Sequence, residues 1–238
     1  MLNRPTPGVI SRTPLRKVNI RGSMIATGYV CSETVPQATI DRQGPNELPF
    51  LILAELDPRV SEIHAQPMLV EYRDDDGRWH EAYPDYHIRI DGRDEIHEIK
   101  PDAEYARPDV RRRLELVAEA VREYGFTYSV ALASILHQTR KLDAVDEAWR
   151  RLKRPISDAL ILDVDDLLAD GPMPAGEIFA ALSHHNATIA DIHALLARGM
   201  VRADMHQKAD RSMLLHGRNS DAWYPRLTPW NDPLEKRA

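Results

Sequence analysis

Pro84-Asp85-Tyr86-His87-Ile88-Arg89-Ile90-Asp91-Gly92-Arg93-Asp94-Glu95-Ile96-His97-Glu98-Ile99-Lys100 carries the residue types best suited to chemistry in this sequence. An aspartate opens one strand-like run and a Glu-x-Lys closes the next. Side chains alternate along a strand, so Glu98 and Lys100 share a face while Ile99 points to the opposite layer. Two clustered carboxylates repel, and a hard divalent cation such as Mg²⁺ takes oxygen ligands of this kind. Such a site can position water, lower its pKa and steady charge building on phosphorus, with Lys100 as a further source of positive charge. The same pattern also occurs on ordinary charged hairpins, where cross-strand ion pairs are common.

The elements around this segment determine whether its residues meet. Tyr86, Ile88 and Ile90 alternate with His87 and Arg89, which predicts a strand with one apolar face. Asp91-Gly92 is a hairpin signal. A two-residue turn there pairs Ile90 with Arg93 and sets Asp85 opposite Glu98. The alternation of Ile88 with Ile96 favours a longer loop and a register slipped by one residue. Either register keeps the carboxylates close. Upstream, 47–56 reads as a short apolar helix, with Asn46 as a cap and Pro49 in the first turn, where proline is tolerated. Strands are expected over 68–72 and 78–83, then helix over 108–124, strand over 128–133 and helix over 139–153. The alternation predicts an α/β fold, a mixed sheet flanked by helices.

Pro155 marks a boundary. Helices over 157–169, 175–182 and 189–198 follow, with a strand pair over 200–205 and 212–216. Thr188 and Asp191 have capping-box spacing, with Asp in place of Glu or Gln. Three helices and a hairpin suit a small winged-helix-like domain. The expected divisions are an arm over 1–45, a catalytic domain over 46–154, a winged-helix-like domain over 155–217 and an extended tail over 218–238. In the arm every charge through Arg21 is positive: Arg4, Arg12, Arg16, Lys17 and Arg21. It reads as a loosely docked terminus or as a basic arm along nucleic acid.

The chain has 238 residues, is 43% hydrophobic and 29% charged, and has a formal net charge of −6. It can bury a sizeable core without cross-links. Cys31 is the only cysteine, so no intrachain disulfide is possible, which fits a reducing cytoplasm. The N-terminus lacks an apolar signal core and no run is long enough to span a bilayer, so no membrane role is expected. The acidic balance argues against a protein that coats DNA by charge alone.

Four separated blocks resemble the TnsA family, PD-(D/E)xK endonucleases that cut the 5′ strands at the ends of certain transposons. They are Glu47 with Phe50-Leu51-Ile52-Leu53-Ala54-Glu55-Leu56-Asp57-Pro58-Arg59-Val60, then Gln66-Pro67, Tyr83-Pro84-Asp85-Tyr86 and Glu98-Ile99-Lys100. The resemblance implies a restriction-endonuclease-like fold followed by a winged-helix-like domain. It implies a catalytic set of Glu47, Asp85, Glu98 and Lys100. The metal ligands would be Glu47, Asp85, Glu98 and the Ile99 carbonyl, with Mg²⁺ as cofactor and Mn²⁺ able to substitute. It further implies double-stranded DNA as substrate, and a TnsB-like transposase and a TnsC-like AAA+ ATPase as partners. Such partners would place an acidic subunit on DNA.

Two other readings remain open. One is a non-catalytic DNA-binding adaptor that uses the winged helix; the other is a stand-alone nuclease of the same superfamily in repair or restriction. Glu47 also suits the helix dipole as a first-turn acid, and Gln66 has a supporting role at most. His64, His80, His87 and His97 match no common zinc spacing. His184-His185 falls in an inter-helix turn and reads as surface. Arg111-Arg112-Arg113, Arg140-Lys141, Arg150-Arg151 and Lys153-Arg154 are solvated helix faces or phosphate contacts. No glycine-rich phosphate loop is present, so nucleotide hydrolysis is not expected.

Overall fold

Alternating apolar residues and a tight turn build the centre of the protein. In the computed structural model, residues 5–15, 27–32 and 39–219 are described. Strands β1 (Thr27–Cys31) and β2 (Thr39–Gln43) pair antiparallel. Helix α1 (Glu47–Leu56) and strands β3 (Val60–Ala65), β4 (Val70–Arg73), β5 (Trp79–Ala82), β6 (Tyr86–Ile90) and β7 (Arg93–Lys100) follow. Then come α2 (Asp102–Tyr105), α3 (Pro108–Glu123), β8 (Thr127–Leu132), α4 (Ala133–Arg140) and α5 (Asp143–Arg151). The chain continues through α6 (Asp158–Leu167), β9 (Met173–Pro174), α7 (Ala175–Ala181), α8 (Ile189–Ala197), β10 (Val201–Arg202) and β11 (Leu214–Gly217).

The described residues divide into two units: 5–15, 27–32, 39–51 and 59–137 in the first, 52–58 and 138–219 in the second. The division falls within α1 and α4. The first unit is built on a mixed sheet of order β3-β6-β7-β8, antiparallel except for the parallel β7–β8 pair. Asp91 (φ 50°) and Gly92 (φ 75°) both lie in the left-handed region, the requirement of a tight two-residue hairpin turn. Ile90 therefore pairs with Arg93 and Tyr86 with His97, and the slipped register is not used. The twist-compatible turn overrides the Ile88–Ile96 alternation, and Ile96 instead faces His87 across the ladder.

Each sheet face is covered. On one, Phe50 of α1 stacks on Tyr86 with ring centroids 5.1 Å apart and lies 5.5 Å from the His97 ring. On the other, Leu114, Val117, Ala118 and Val121 of α3 pack with Ile96, Tyr128 and Val130 of the sheet and with Met68, Val70 and Tyr72. Their spacing gives α3 a single apolar stripe. Pro108 opens α3 at a position where its missing N–H costs nothing.

Three elements differ from the sequence expectations. β3 lies in a stretch where the sequence predicts no element, because Val-Ser-Glu-Ile-His-Ala lacks clean alternation, yet it pairs along β6 with a bulge between Val60 and Glu62. The helix expected over 139–153 begins later, as α5, since the chain extends at Leu142 (ψ 135°) and Asp143 and Asp146 favour a fresh N-terminus, and α4 occupies a stretch where almost no element is expected. The stretch read as an arm contains β1 and β2. Its residues 5–15 run beside 66–69, with Gly8, Ser11 and Leu15 N–H groups donating to the carbonyls of Leu69, Pro67 and Gln66. Arg4, Arg16, Lys17 and Arg21, and the tail from residue 220, lie outside the described residues.

In the second unit α8 is nearly wholly buried, from Asp191 through Ala197. Its start is the expected capping box, with Asp191 Oδ2 2.7 Å from the Thr188 N–H and Arg154 holding the same carboxylate. β10 and β11 pair antiparallel, and β9 adds on the far side of β11. No helix among the described residues is long and apolar enough to cross a membrane.

Candidate metal-dependent active site

The β6–β7 register brings Asp85, Glu98 and Lys100 together. Continuing the ladder by one residue sets Asp85 opposite Glu98, and the Ile99 N–H donates to Asp85 Oδ2 at 2.7 Å. The Asp85 carbonyl in turn accepts from the Gln66 N–H at 2.7 Å. Gln66 holds φ at 43°, and its Oε1 is buried with no hydrogen-bond partner among the described residues. Glu98 and Lys100 share a face, as strand alternation demands, and Lys100 Nζ lies 2.7 Å from Glu98 Oε1 and 3.9 Å from Glu104 Oε1. Both side chains are largely shielded, 12% and 13% exposed, so this ion pair is screened little by water.

Glu47 enters from the first turn of α1. Its Oε2 accepts from the Gln43 N–H at 2.6 Å, and the Tyr86 hydroxyl lies 2.6 Å away. The same hydroxyl is 2.9 Å from the Asp41 carbonyl, so its single proton serves the nearer, charged acceptor. Asn46, expected as a cap, places its side-chain oxygen 3.0 Å from His137 Nε2. Ile99 contributes its backbone N–H and an apolar side chain turned into the core, 6% exposed.

The electrostatics of the group are those of an acid cluster short of positive charge. Burial, then the neighbouring Glu98, raises the Asp85 carboxyl well above the ordinary range, against the opposing pull of Lys100. Burial also raises Glu47, with Tyr86, the Gln43 N–H and Arg42 pulling it down and Glu98 adding to the rise. For Lys100, burial acts downward, but Glu98 and Asp85 outweigh it and the ammonium is held above its usual value. Lys100 is therefore a fixed cation here rather than a base. Asp85 and Glu98 face the Lys100 ammonium, and Glu47 interacts with Asp85 and Glu98 through its charge. Oxygen donors of this type suit a hard divalent cation, although among the described residues it is Asp163, His184 and His185 whose ligand atoms lie within 4.8 Å of one another.

Tyr86 is the site residue that sequence reasoning missed. It reads as part of an apolar face, and no local signal tells that its hydroxyl reaches α1. The four histidines weighed for zinc each meet a separate carboxylate: His64 with Glu62 (3.2 Å), His80 with Asp74 (2.7 Å), His87 with Asp94 (2.9 Å) and His97 with Glu95 (3.4 Å). The basic clusters are largely spent on ion pairs. Arg112 holds Asp75, Arg140 and Arg150 share Asp146, Arg151 meets Glu147, and Arg154 meets Asp191. The chain matches no protein-family model and no curated protein.

Proposed function

We propose that this chain is a Mg²⁺-dependent DNA endonuclease of the PD-(D/E)xK type, resembling the TnsA subunit that cleaves the 5′ strands at transposon ends. The observation that carries the reading is that Asp85, just beyond the β6–β7 ladder and held by the Ile99 N–H, lies within the electrostatic reach of Glu98, Lys100 and Glu47. A third acid on a separate helix and the burial of Asp85 set this group apart from an exposed cross-strand ion pair. A mixed β3-β6-β7-β8 sheet between α1 and α3 supports a restriction-endonuclease-like fold. The three helices α6, α7 and α8 with the β10-β11-β9 sheet support a winged-helix-like second unit.

Asp85, Glu98 and Glu47 would hold the cation, with the Ile99 carbonyl as a further oxygen ligand. When bound, the cation supplies Lewis acidity toward the attacking water and charge for the phosphate. The chain's own groups do the rest. Ile99 N–H fixes the rotamer of Asp85, and Tyr86 and Gln43 fix that of Glu47. Lys100 orients water and faces the negative charge that develops on phosphorus. Water oxygen bonds to phosphorus, the bond to the 3′ oxygen breaks, and that oxygen takes up a proton, leaving 5′-phosphate and 3′-hydroxyl ends. A TnsB-like transposase and a TnsC-like AAA+ ATPase would place the chain on double-stranded DNA.

The test is Asp85→Ala in a Mg²⁺-dependent strand-cleavage assay, with and without such partners. Loss of cleavage by at least a hundredfold is expected; unchanged cleavage rejects the assignment. Cutting by the wild-type chain alone would assign it as a stand-alone nuclease instead.

A further inference from the structure

A second cluster of ligand-type side chains lies in the C-terminal unit. Asp163 is on α6, and His184 and His185 occupy a single 3-10 turn (Ser183–His185) between α7 and α8. Neighbouring residues on a regular strand or helix would point apart. Here the tight turn, closed by Asn186 in the left-handed region (φ 52°), brings both rings to one side. The ring centroids are 4.2 Å apart. His184 Nε2 lies 3.1 Å and His185 Nε2 2.6 Å from the same atom, Asp163 Oδ2.

Those separations are close to the edge of a metal coordination sphere. Ligands about 2.0–2.1 Å from a tetrahedral ion lie roughly 3.3 Å from one another. All three donor atoms already sit within 4.8 Å of each other, so small rotamer changes suffice. The sign of the surroundings agrees. A cleft of about 440 Å³ opens beside the cluster, lined by Asp163, Asp166, Asp170 and His184 among others, with no lysine or arginine in its wall.

We propose that Asp163, His184 and His185 form a binding site for a borderline divalent transition-metal ion, Zn²⁺ foremost, with the remaining coordination position open to water in the cleft. Two imidazoles and one carboxylate select such an ion over Mg²⁺ or Ca²⁺, which prefer all-oxygen sites. His184 is 62% exposed and Asp163 41%, so the site is more open and weaker than a closed structural zinc centre. The bound ion would clamp α6 to the turn between α7 and α8. The site is independent of the Asp85 cluster and of the nuclease proposal.

Isothermal titration of the intact metal-free chain with Zn²⁺, and Co²⁺ absorption in the visible, test the proposal. The wild type should bind one equivalent that is lost in His184→Ala/His185→Ala, with the Co²⁺ ligand-field bands lost in parallel. Asp163→Asn should weaken that equivalent at least tenfold, and Asp85→Ala should retain it. Zn²⁺ should raise the melting temperature of the wild type but not of the double variant. His184 and Asp163 are exposed and His185 is part-buried, and the metal-free melting temperatures and circular dichroism of the variants establish that they fold. Equal Zn²⁺ stoichiometry and affinity in wild type and double variant would overturn the proposal. So would absence of Zn²⁺ binding by the wild type.

Discussion

At the scale of single residues, Asp85 sets stability against function. Its carboxyl is raised, so the fold binds that proton more tightly than the unfolded chain does. The penalty for ionising it is absent in acid and grows as pH rises from the ordinary carboxylate value of about 4. Asp85→Asn keeps an oxygen for the Ile99 N–H and removes the charge. The metal-free variant should melt a few degrees above wild type at pH 7 and by a smaller margin at pH 4, at about 2–4 °C per kcal/mol for a chain of this size. Mg²⁺ should narrow the gap by stabilising only the wild type. Thermal melts across pH with and without Mg²⁺ read this directly. Tyr86→Phe is complementary. The lost hydroxyl lowers the Glu47 carboxyl's pKa in the wild type, so its removal should shift the midpoint of Mn²⁺ binding to higher pH. It should also cost about 1–3 kcal/mol, the range for a hydrogen bond to a charged group. That Asp85, Glu98 and Lys100 come together was legible because strand alternation and a turn signal are local; Glu47 is singled out only through the resemblance to the TnsA family. The Glu47–Tyr86 contact was not, because it spans 39 positions and uses the polar tip of a residue that otherwise reads as core.

At the scale of elements, turn chemistry was the most legible feature and strand content the least. Asp91-Gly92 is a local steric demand that marks the hairpin in the sequence, while the register is decided only by the pairing of Ile90 with Arg93. β3 is a strand only because β6 pairs with it, and nothing within Val60–Ala65 says so. The break between α4 and α5 has no proline or glycine to mark it. Two glycines separate backbone strain from packing. Gly92 has φ 75°, but a Cβ there meets nothing within 4 Å. Gly199 has φ 65°, and a Cβ there would lie 2.5 Å from the Pro58 Cβ. Gly92→Ala should therefore cost only the left-handed penalty, about 1 kcal/mol. Gly199→Ala adds overpacking and should cost about 2–4 kcal/mol. Denaturant midpoints for the two variants should fall in that order, and equal losses would show that the Pro58 contact yields freely.

At the scale of the whole molecule, charge limits what the chain can do by itself. The net charge is −6, and Arg112, Arg140, Arg150, Arg151 and Arg154 are each held by an acid of the same chain. Composition made the first fact plain; the second needed tertiary structure, because the partners of Arg112 and Arg154 lie 37 positions away. Arginines already held by acids of the same chain contribute little to counterion release. With about three phosphate contacts, a threefold drop in salt would raise affinity roughly twentyfold, since the logarithmic slope is about −0.9 per contact. The chain alone should therefore bind duplex DNA weakly at physiological salt and cut it slowly in Mg²⁺. Lowering the salt threefold should recover about that factor, and fusion to an unrelated sequence-specific DNA-binding domain should recover more, near the recognised site only. The Asp85→Asn fusion should bind equally and not cut. Tight, salt-insensitive binding by the chain alone would instead mean that some cations exchange their intramolecular acids for phosphates, and that delivery by partners is not required.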